Sequence, residues 1–386
     1  MNKIALLLSG GVDSSVALHQ LCSIGEKPDC FYIHIGPDEK DSYSCTSEED
    51  IEMASAVAAK YGCTFEIIDL HKEYWDEVVK YTMDKVKQGF TPNPDVMCNT
   101  LIKFGAFYDK IGYKYDYIAT GHYATRVGYA NGKCKYAPSW VAPDFWNPSE
   151  QEWWICPAKD PIKDQVDFIA NIDTKKVPIS KILFPVGSLM KDEVRKIAEE
   201  NHLINAKRKD SQGICFLGKI NYNDYIKKYL GEKEGEIIDL ETSECIGHHK
   251  GYWFHTIGQR KGLNLSGGPW YVVFKDIKTN VVYVSKNKEC MNTNEFYIRD
   301  INWLTKNLCE NIENNSKFIC DIKFKVRHSP EVYNGKLMLT DESNILKIIC
   351  DTPMKVANGQ FCTLYDKDYY RCYGTGEMIQ KIQINQ

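Results

Sequence analysis

The sequence predicts an α/β chain in which a doubly wound parallel sheet is followed by a small central domain and a C-terminal β-barrel. Three observations carry that reading. Short apolar runs alternate with helix-period segments through the first part of the chain, and strands joined by helices lie parallel. The run Leu6-Leu7-Leu8 feeds Ser9-Gly10-Gly11 and opens at once into a helical pattern, the strand–turn–helix step of such a sheet. From about Lys207 the alternation stops, and period-two segments bounded by Gly turns take over. At 386 residues the chain can bury two or three cores, and the expected divisions are residues 1–207, 208–278 and 279–386.

Taken in order, the first strand ends at Leu8, and Val12, Val16, Ala17 and Leu21 form the buried stripe of the helix that follows. Ser9, Gly10 and Gly11 permit close backbone approach, Asp13 or Ser14 can cap the helix, and its N-terminal N–H groups and dipole attract an anion. The Gly-Lys-Ser/Thr of a Walker loop is missing, so this is a different phosphate device. Cys30 to Ile35 reads as a strand, Ser47-Glu48-Glu49-Asp50 as a capping-box start for a helix carrying Ile51, Ala54, Val57 and Ala58, and Gly62 as its stop. Thr64 to Ile68 is the next strand, Tyr74 to Val86 the next helix, and Tyr117 to Thr120 a further strand. Ligands of such sheets gather at the C-terminal strand edges. That places Ser9 to Ser15, the end of the second strand, where Ile33 or its neighbours could face a base, and the turn Ala119-Thr120-Gly121-His122-Tyr123-Ala124 at one site.

Beyond Lys207, Asn221 to Leu230 keeps a helical pattern, while Gly235 to Leu240, Gly251 to Ile257 and Pro269 to Lys286 read as short strands. From Glu295 onward, Phe318 to Val326, Lys336 to Leu339, Ile345 to Ile349, Gln360 to Tyr365 and Arg371 to Ile379 alternate as barrel strands do. Lys323, Lys325 and Arg327 recur at period two, either as a basic stripe for a phosphate backbone or as a solvated strand face.

Composition narrows the class. Lys plus Arg number 48 against 52 Asp plus Glu, giving a net charge of -4 and a pI near 6.2, so any nucleic-acid surface has to be a local patch. The 15 cysteines show neither Cys-x-x-Cys nor zinc spacing, which argues against a metal knuckle or a secreted disulfide scaffold and fits a reducing cytoplasm. The apolar start is too short for a signal peptide, and no run reaches membrane-spanning length.

Two cysteines stand apart. In Gly89-Phe90-Thr91-Pro92-Asn93-Pro94-Asp95-Val96-Met97-Cys98-Asn99 the prolines force a rigid loop that presents Asp95 and Cys98 together before a helix, where a thiol is pushed toward thiolate. Cys215, in Gly213-Ile214-Cys215-Phe216, reads either as a core residue in a buried turn or as a thiol activated by Lys207, Arg208 and Lys209.

Ser-Gly-Gly-Val-Asp-Ser resembles the PP-loop of the ATP pyrophosphatases, which split ATP between the α- and β-phosphates. Asn93-Pro94-Asp95 with Cys98-Asn99, and Ala119 to Ala124, resemble motifs of the bacterial tRNA-specific 2-thiouridylase (MnmA) family. Further matches follow in order at Lys163-Asp164-Gln165, Phe184-Pro185-Val186-Gly187, Lys209 to Phe216 and Thr256 to Leu263.

That resemblance implies a PP-loop, adenine nucleotide α-hydrolase-like fold. It also implies 2-thiolation of the wobble uridine of lysine, glutamate and glutamine tRNAs, with ATP, Mg²⁺ and a protein-borne persulfide donor. Carried onto matching positions, Leu8, Ser9, Gly10, Gly11, Val12, Asp13, Ser14, Ser15, Ile33 and Gly121 would bind ATP. Asn93, Pro94, Asp95, His122, Lys163, Asp164, Gln165, Lys325, Val326 and Gln360 would meet tRNA. Cys215 would receive sulfane sulfur, Cys98 would attack or release it, and Asp95 would act as acid/base. Direct hydrosulfide attack and transfer through the persulfide both satisfy the chemistry. The chain is expected to be a cytoplasmic monomer with no membrane partner.

Locally, His122 also reads as a hydrogen-bonded structural residue, and Lys163-Asp164-Gln165 as a solvated helix start. The segment from Tyr129 to Trp154 departs from the family: a hairpin with Asn131-Gly132 at its tip, then Trp140, Phe145, Trp146, Trp153 and Trp154, to stack bases or to pack on the domain. Val166-Asp167 stand where the family more often has Ser-Tyr. Two other classes compete: a ligase or amidotransferase on the same loop, which needs neither cysteine, and a non-catalytic RNA-binding or ATP-sensing protein.

Overall fold

In the computed structural model, described over residues 2–36, 47–130, 133–135, 152–209, 222–311 and 317–380, the chain opens with β1 (Ile4–Leu7) and α1 (Val12–Ser23). Then come β2 (Asp29–His34), α2 (Ser47–Lys60) and β3 (Phe65–Asp69). A continuous helical stretch holds α3 (His71–Glu73), a π-helical segment Tyr74–Val79 and α4 (Lys80–Lys87). A second holds α5 (Pro94–Met97), a π-helical segment Cys98–Ala106 and α6 (Phe107–Lys110). Strand β4 (Tyr117–Thr120) precedes β5 (Thr125–Ala130), β6 (Lys133–Lys135) and β7 (Glu152–Cys156), and α7 (Val166–Ile169), β8 (Ile182–Leu183) and α8 (Lys191–Glu200) complete the unit.

The main sheet has the order β3-β2-β1-β4-β8, every pair parallel. Period two divides its side chains between two cores. Ile4, Leu6 and Leu8 face α1, α2 and α8, while Ala5 and Leu7 face the helices from Tyr74 to Phe107. Because β1 passes to β2 on one side and pairs with β4 on the other, the topological switch lies between β1 and β4, with Leu7 opposite Thr120. The expected hairpin exists: Gly128, Tyr129 and Ala130 pair with Lys135, Cys134 and Lys133. Its tip and residues 136–151 lie outside the described residues.

After α9 (Tyr222–Leu230), a small sheet of β9 (Gly235–Asp239), β10 (Cys245–His249), β11 (Tyr271–Asp276) and β12 (Val281–Ser285) has the order β10-β9-β12-β11. The strand expected at Gly251 to Ile257 is instead a short 3₁₀ turn at Tyr252–Phe254. Side chains supply its partners: His249 Nδ1 accepts from Gly251 N at 2.9 Å and Asn280 Oδ1 from Tyr252 N at 3.2 Å. The strand that does form, Cys245–His249, carries Gly and two His and so lacks an apolar alternation to announce it.

The last unit is a closed antiparallel barrel of β13 (Asn292–Trp303), β14 (Phe318–Val326), β15 (Tyr333–Leu339), β16 (Ile345–Lys355), β17 (Phe361–Tyr365) and β18 (Cys372–Ile379), in the order β13-β16-β15-β14-β17-β18. Phe296, Ile298, Ile322, Phe324 and Ile348 fill it. The basic stripe on β14 is corrected: Lys323 is half-buried, Lys325 is buried, and Arg327 lies past the strand end with φ 62°. The outer face of the strand at Lys325 is covered by the first unit, so period two names the face but not what covers it. No described helix is long and apolar enough to cross a membrane.

Candidate active site

The turn after β1 is fastened from several sides. Leu8 N donates to Phe31 O at 2.8 Å, and Ser9 N donates to Ser14 Oγ at 3.2 Å. Ser14 Oγ and Ser15 Oγ donate to Gly11 O at 3.1 and 2.9 Å. The N-cap is Gly11, with no side-chain cap, so neither Asp13 nor Ser14 plays that part. Both sit inside the first turn, where the Ser14 hydroxyl is spent on holding the loop. Gly10 has φ 77°, and a Cβ there would overlap the Asp50 carbonyl oxygen, so only glycine fits. Asn205 Nδ2 donates to Gly10 O at 2.7 Å and to Ser15 Oγ at 2.8 Å, and Arg208 reaches Gly10 O and pairs with Asp50. Val12 is buried beneath, and Ile33 lies half-buried near the end of β2 opposite Ile68.

On the far side of the switch, a Cβ on Gly121 would stand 2.7 Å from Ser14 N, so the second turn packs directly on the start of α1. His122 Nδ1 shares a hydrogen bond with Thr120 Oγ1 at 2.9 Å. Burial first, then Lys103, holds its imidazole well below the usual range, so it stands neutral and structural in this arrangement. The Asp13 carboxylate takes its partners from outside its own loop. Tyr123 OH donates to Asp13 Oδ1 at 2.7 Å, and Lys191 Nζ donates to its two oxygens at 2.7 and 3.0 Å. Lys191 opens α8, whose start is fixed by Asp160 Oδ2 accepting from Lys191 N at 2.9 Å. A lysine from a distant segment is thus paired with the carboxylate in the first turn after the glycine loop.

In the proline-bound loop, Asn93 caps α5 through Oδ1, which accepts from Asp95 N and Val96 N at 3.2 and 3.3 Å, with Pro94 at the first helical position. Asp95 sits half-buried in that first turn, and Asn99 Nδ2 donates to its carbonyl at 2.9 Å. Cys98 comes one turn later, buried in the apolar core with Ile102 and Phe104. It thus stands beyond the first turn, where the field of a helix terminus is strongest. Cys215 lies outside the described residues.

The other expected RNA contacts gather at the joint between the first unit and the barrel. Gln165 N donates to Tyr123 O at 2.8 Å while Gln165 Oε1 accepts from Tyr123 N at 3.0 Å. Asp164, 1% exposed, pairs through Oδ2 with Lys325 Nζ at 3.1 Å, and its Oδ1 accepts from Ala158 N at 3.0 Å. Burial pushes the Asp164 carboxyl up, against the pull of Lys325 and the Ala158 N–H. Asp167, the departure from the family pattern, bonds His328 at 3.1 Å and lies 3.6 Å from Lys325. Val326 turns into the barrel core, and Gln360 Nε2 donates to Thr91 O and Pro92 O at 2.7 and 3.2 Å. Lys163 is half-buried, its N–H on Asp160 Oδ1 at 3.1 Å. In this arrangement Asp164, Lys325 and Gln360 hold protein to protein, Val326 packs inside the barrel, and the four do not form an open basic surface.

Three family descriptions match in succession: the tRNA methyl transferase HUP domain over residues 2–219, the tRNA methyl transferase PRC-barrel domain over 223–286 and the aminomethyltransferase β-barrel domain over 293–378. The chain is similar to tRNA-specific 2-thiouridylase MnmA 1 of Bacteroides thetaiotaomicron, 50% identical over 380 residues, covering 98% of this chain and 99% of the relative. It is also similar to tRNA-specific 2-thiouridylase MnmA of Porphyromonas gingivalis, at 50% over 381 residues, and of Parabacteroides distasonis, at 48% over 383 residues, with coverage of 98% and 99% in both cases. The chain belongs to the tRNA-specific 2-thiouridylase (MnmA) family.

Lys191, Asn205 and Asp160 escaped the sequence reading of this family member. Lys191 had a signal, since it opens a helix just after the family match at Phe184 to Gly187. Asn205 had none, as a single asparagine after a helix reads as a loop residue. Glu377 was missed too, because it is a single carboxylate in a barrel strand whose pattern does not say what faces it.

Proposed function

We propose that this chain is a tRNA-uridine 2-sulfurtransferase that thiolates the wobble uridine of lysine, glutamate and glutamine tRNAs, consuming ATP and releasing AMP and pyrophosphate. The observation that carries the reading is the glycine loop, with Lys191 paired to Asp13 just after it, in the same chain as the Asp95/Cys98 loop, with about half of all residues identical to named 2-thiouridylases. Uracil O2 is a poor leaving group, so its attack on the α-phosphorus of ATP, with pyrophosphate leaving, converts it into AMP. The N–H groups of the loop and of the first turn of α1 that are not spent within the loop, with the Lys191 ammonium, would stabilise charge on the phosphates. The Asp13 carboxylate accepts from Tyr123 and, on both oxygens, from the Lys191 ammonium, so it would hold a hard cation such as Mg²⁺ only where Lys191 leaves it for the phosphates. When bound, such an ion neutralises phosphate charge.

Sulfur reaches C2 from a persulfide on Cys215. The Cys98 thiolate attacks the inner sulfur, Cys98 and Cys215 join in a disulfide, and hydrosulfide leaves. Hydrosulfide adds to C2 and AMP departs, with Asp95 moving the proton; a thiol reductant then restores both cysteines. Attack by the persulfide itself on C2 leads to the same disulfide when Cys98 resolves it.

The test is purified protein with tRNA transcript, ATP and a persulfide donor. We expect tRNA-stimulated AMP and pyrophosphate, and a uridine whose mass shows oxygen exchanged for sulfur. Cys98→Ser and Cys215→Ser should still adenylate without thiolating, and only Cys215→Ser should lose protein-bound sulfane sulfur. Production of ADP and phosphate, or a methylated nucleoside as the matched family descriptions would suggest, would overturn the reading.

A further inference from the structure

The loop carrying Asp95 and Cys98 is gripped by the barrel before it reaches either residue. Thr91 N donates to Asn358 O at 2.8 Å, and Gln360 Nε2 takes both the Thr91 and Pro92 carbonyls. Gly359, with φ 86°, comes so close that a Cβ would stand 2.7 Å from Phe90 Cβ. Beside this contact is Glu377 of β18, 6% exposed. Its oxygens accept from Lys85 Nζ of α4 at 2.5 and 2.7 Å and from Arg299 of β13 at 3.0 Å (Nε) and 2.9 Å (second terminal nitrogen). The Lys85 ammonium and the Arg299 guanidinium lie 5.3 and 5.5 Å from the centre of the Phe90 ring. One buried carboxylate therefore ties the first unit and the barrel to the aromatic residue at the head of the loop.

Stability does not account for such a cluster, because well-packed apolar residues do as well or better in a buried site, and the best-attested use of buried charge is to fix register. Here the register matters. Between the grip and the candidate thiol the chain reads Pro92-Asn93-Pro94, whose fixed φ angles and restricted preceding residues leave no soft joint. A shift at Thr91 passes directly to the Asn93 cap, to Asp95 and to Cys98 one turn on. Misplacement by about 1 Å can cost on the order of 10²-fold in rate.

We propose that Glu377 is a positioning residue, through which the barrel sets the placement of the Asp95/Cys98 loop independently of the ATP site. The inference rests on the thiolation reading, and its first readout does not. In the full chain, Glu377→Gln should raise the rate of Cys98 alkylation by iodoacetamide several-fold, measured by peptide mass mapping. Thiolation of tRNA should fall about tenfold or more, with tRNA-stimulated pyrophosphate release within about twofold of the parent. Glu377→Asp keeps the charge and one shorter reach, so it should fold as the parent does and show both effects in weaker form.

Unchanged Cys98 alkylation in both variants overturns the proposal, as does a parallel loss of pyrophosphate release and thiolation, which marks Glu377 as merely structural. If the parent neither thiolates nor releases pyrophosphate, the functional reading fails, and the alkylation result still decides the clamp.

Discussion

At the scale of single residues, the structure gives Asp13 a partner the loop itself lacks. Lys191→Met should slow tRNA-stimulated pyrophosphate release by roughly 10²-fold or more, the scale of losing one preorganised donor to charge that develops in a transition state, and Asp13→Ala should act in the same direction. Filter-bound tRNA should be nearly unchanged in both, and an equal loss of binding would place the pair in the fold and not in the chemistry. A second residue-scale expectation concerns pH. Burial, then His249 and Lys275, push the His255 imidazole from 6.5 down to about 4. Because the folded value lies below the unfolded one, the contribution is intact above pH 6.5 and is lost as pH falls toward 4. Within that window His255→Asn should flatten the fall in urea-unfolding free energy by about 1.4 kcal/mol per pH unit.

At the scale of elements, the site exists because two strand ends meet across the switch and two glycines let them close. Gly121→Ala would set a methyl 2.7 Å from Ser14 N, and neither a strand end nor a helix start yields easily. We expect a loss of roughly 1–3 kcal/mol in stability, as for other overpacked sites, with weaker protection of the protein by ATP in thermal unfolding. A fully active, equally stable Ala variant would show that α1 and the second turn are not fixed against each other.

At the scale of the whole molecule, the barrel is part of the active unit through buried polar joints. Lys325, 2% exposed, stands between Asp164 and Asp167. Lys325→Met should leave two buried carboxylates without their cation and cost about 3–5 kcal/mol in chemical denaturation. Lys325→Met with Asp164→Asn should recover part of that loss, because one uncompensated charge is removed. A double variant as weak as the single one would mean that packing of the lysine stem, and not its charge, joins the two units.

The sequence by itself determined the class of each unit, the turn at Ser9 to Gly11, the second turn at Gly121 and the stiff loop before Cys98. These are local matters: strand and helix periods, proline angles and glycine turns act over a few residues and leave a readable mark. Only the tertiary structure decided that Lys191 supplies the cation at Asp13, that Asn205 and Arg208 fasten Gly10, that Lys325 is buried against Asp164, that Gln360 bonds the loop of Asp95 and Cys98, and that Glu377 joins Lys85 to Arg299 beside it. Each of these joins segments far apart in the chain. A lysine on a period-two strand reads the same whether water or another domain covers it, and what covers it is set by packing between units, which no local pattern encodes.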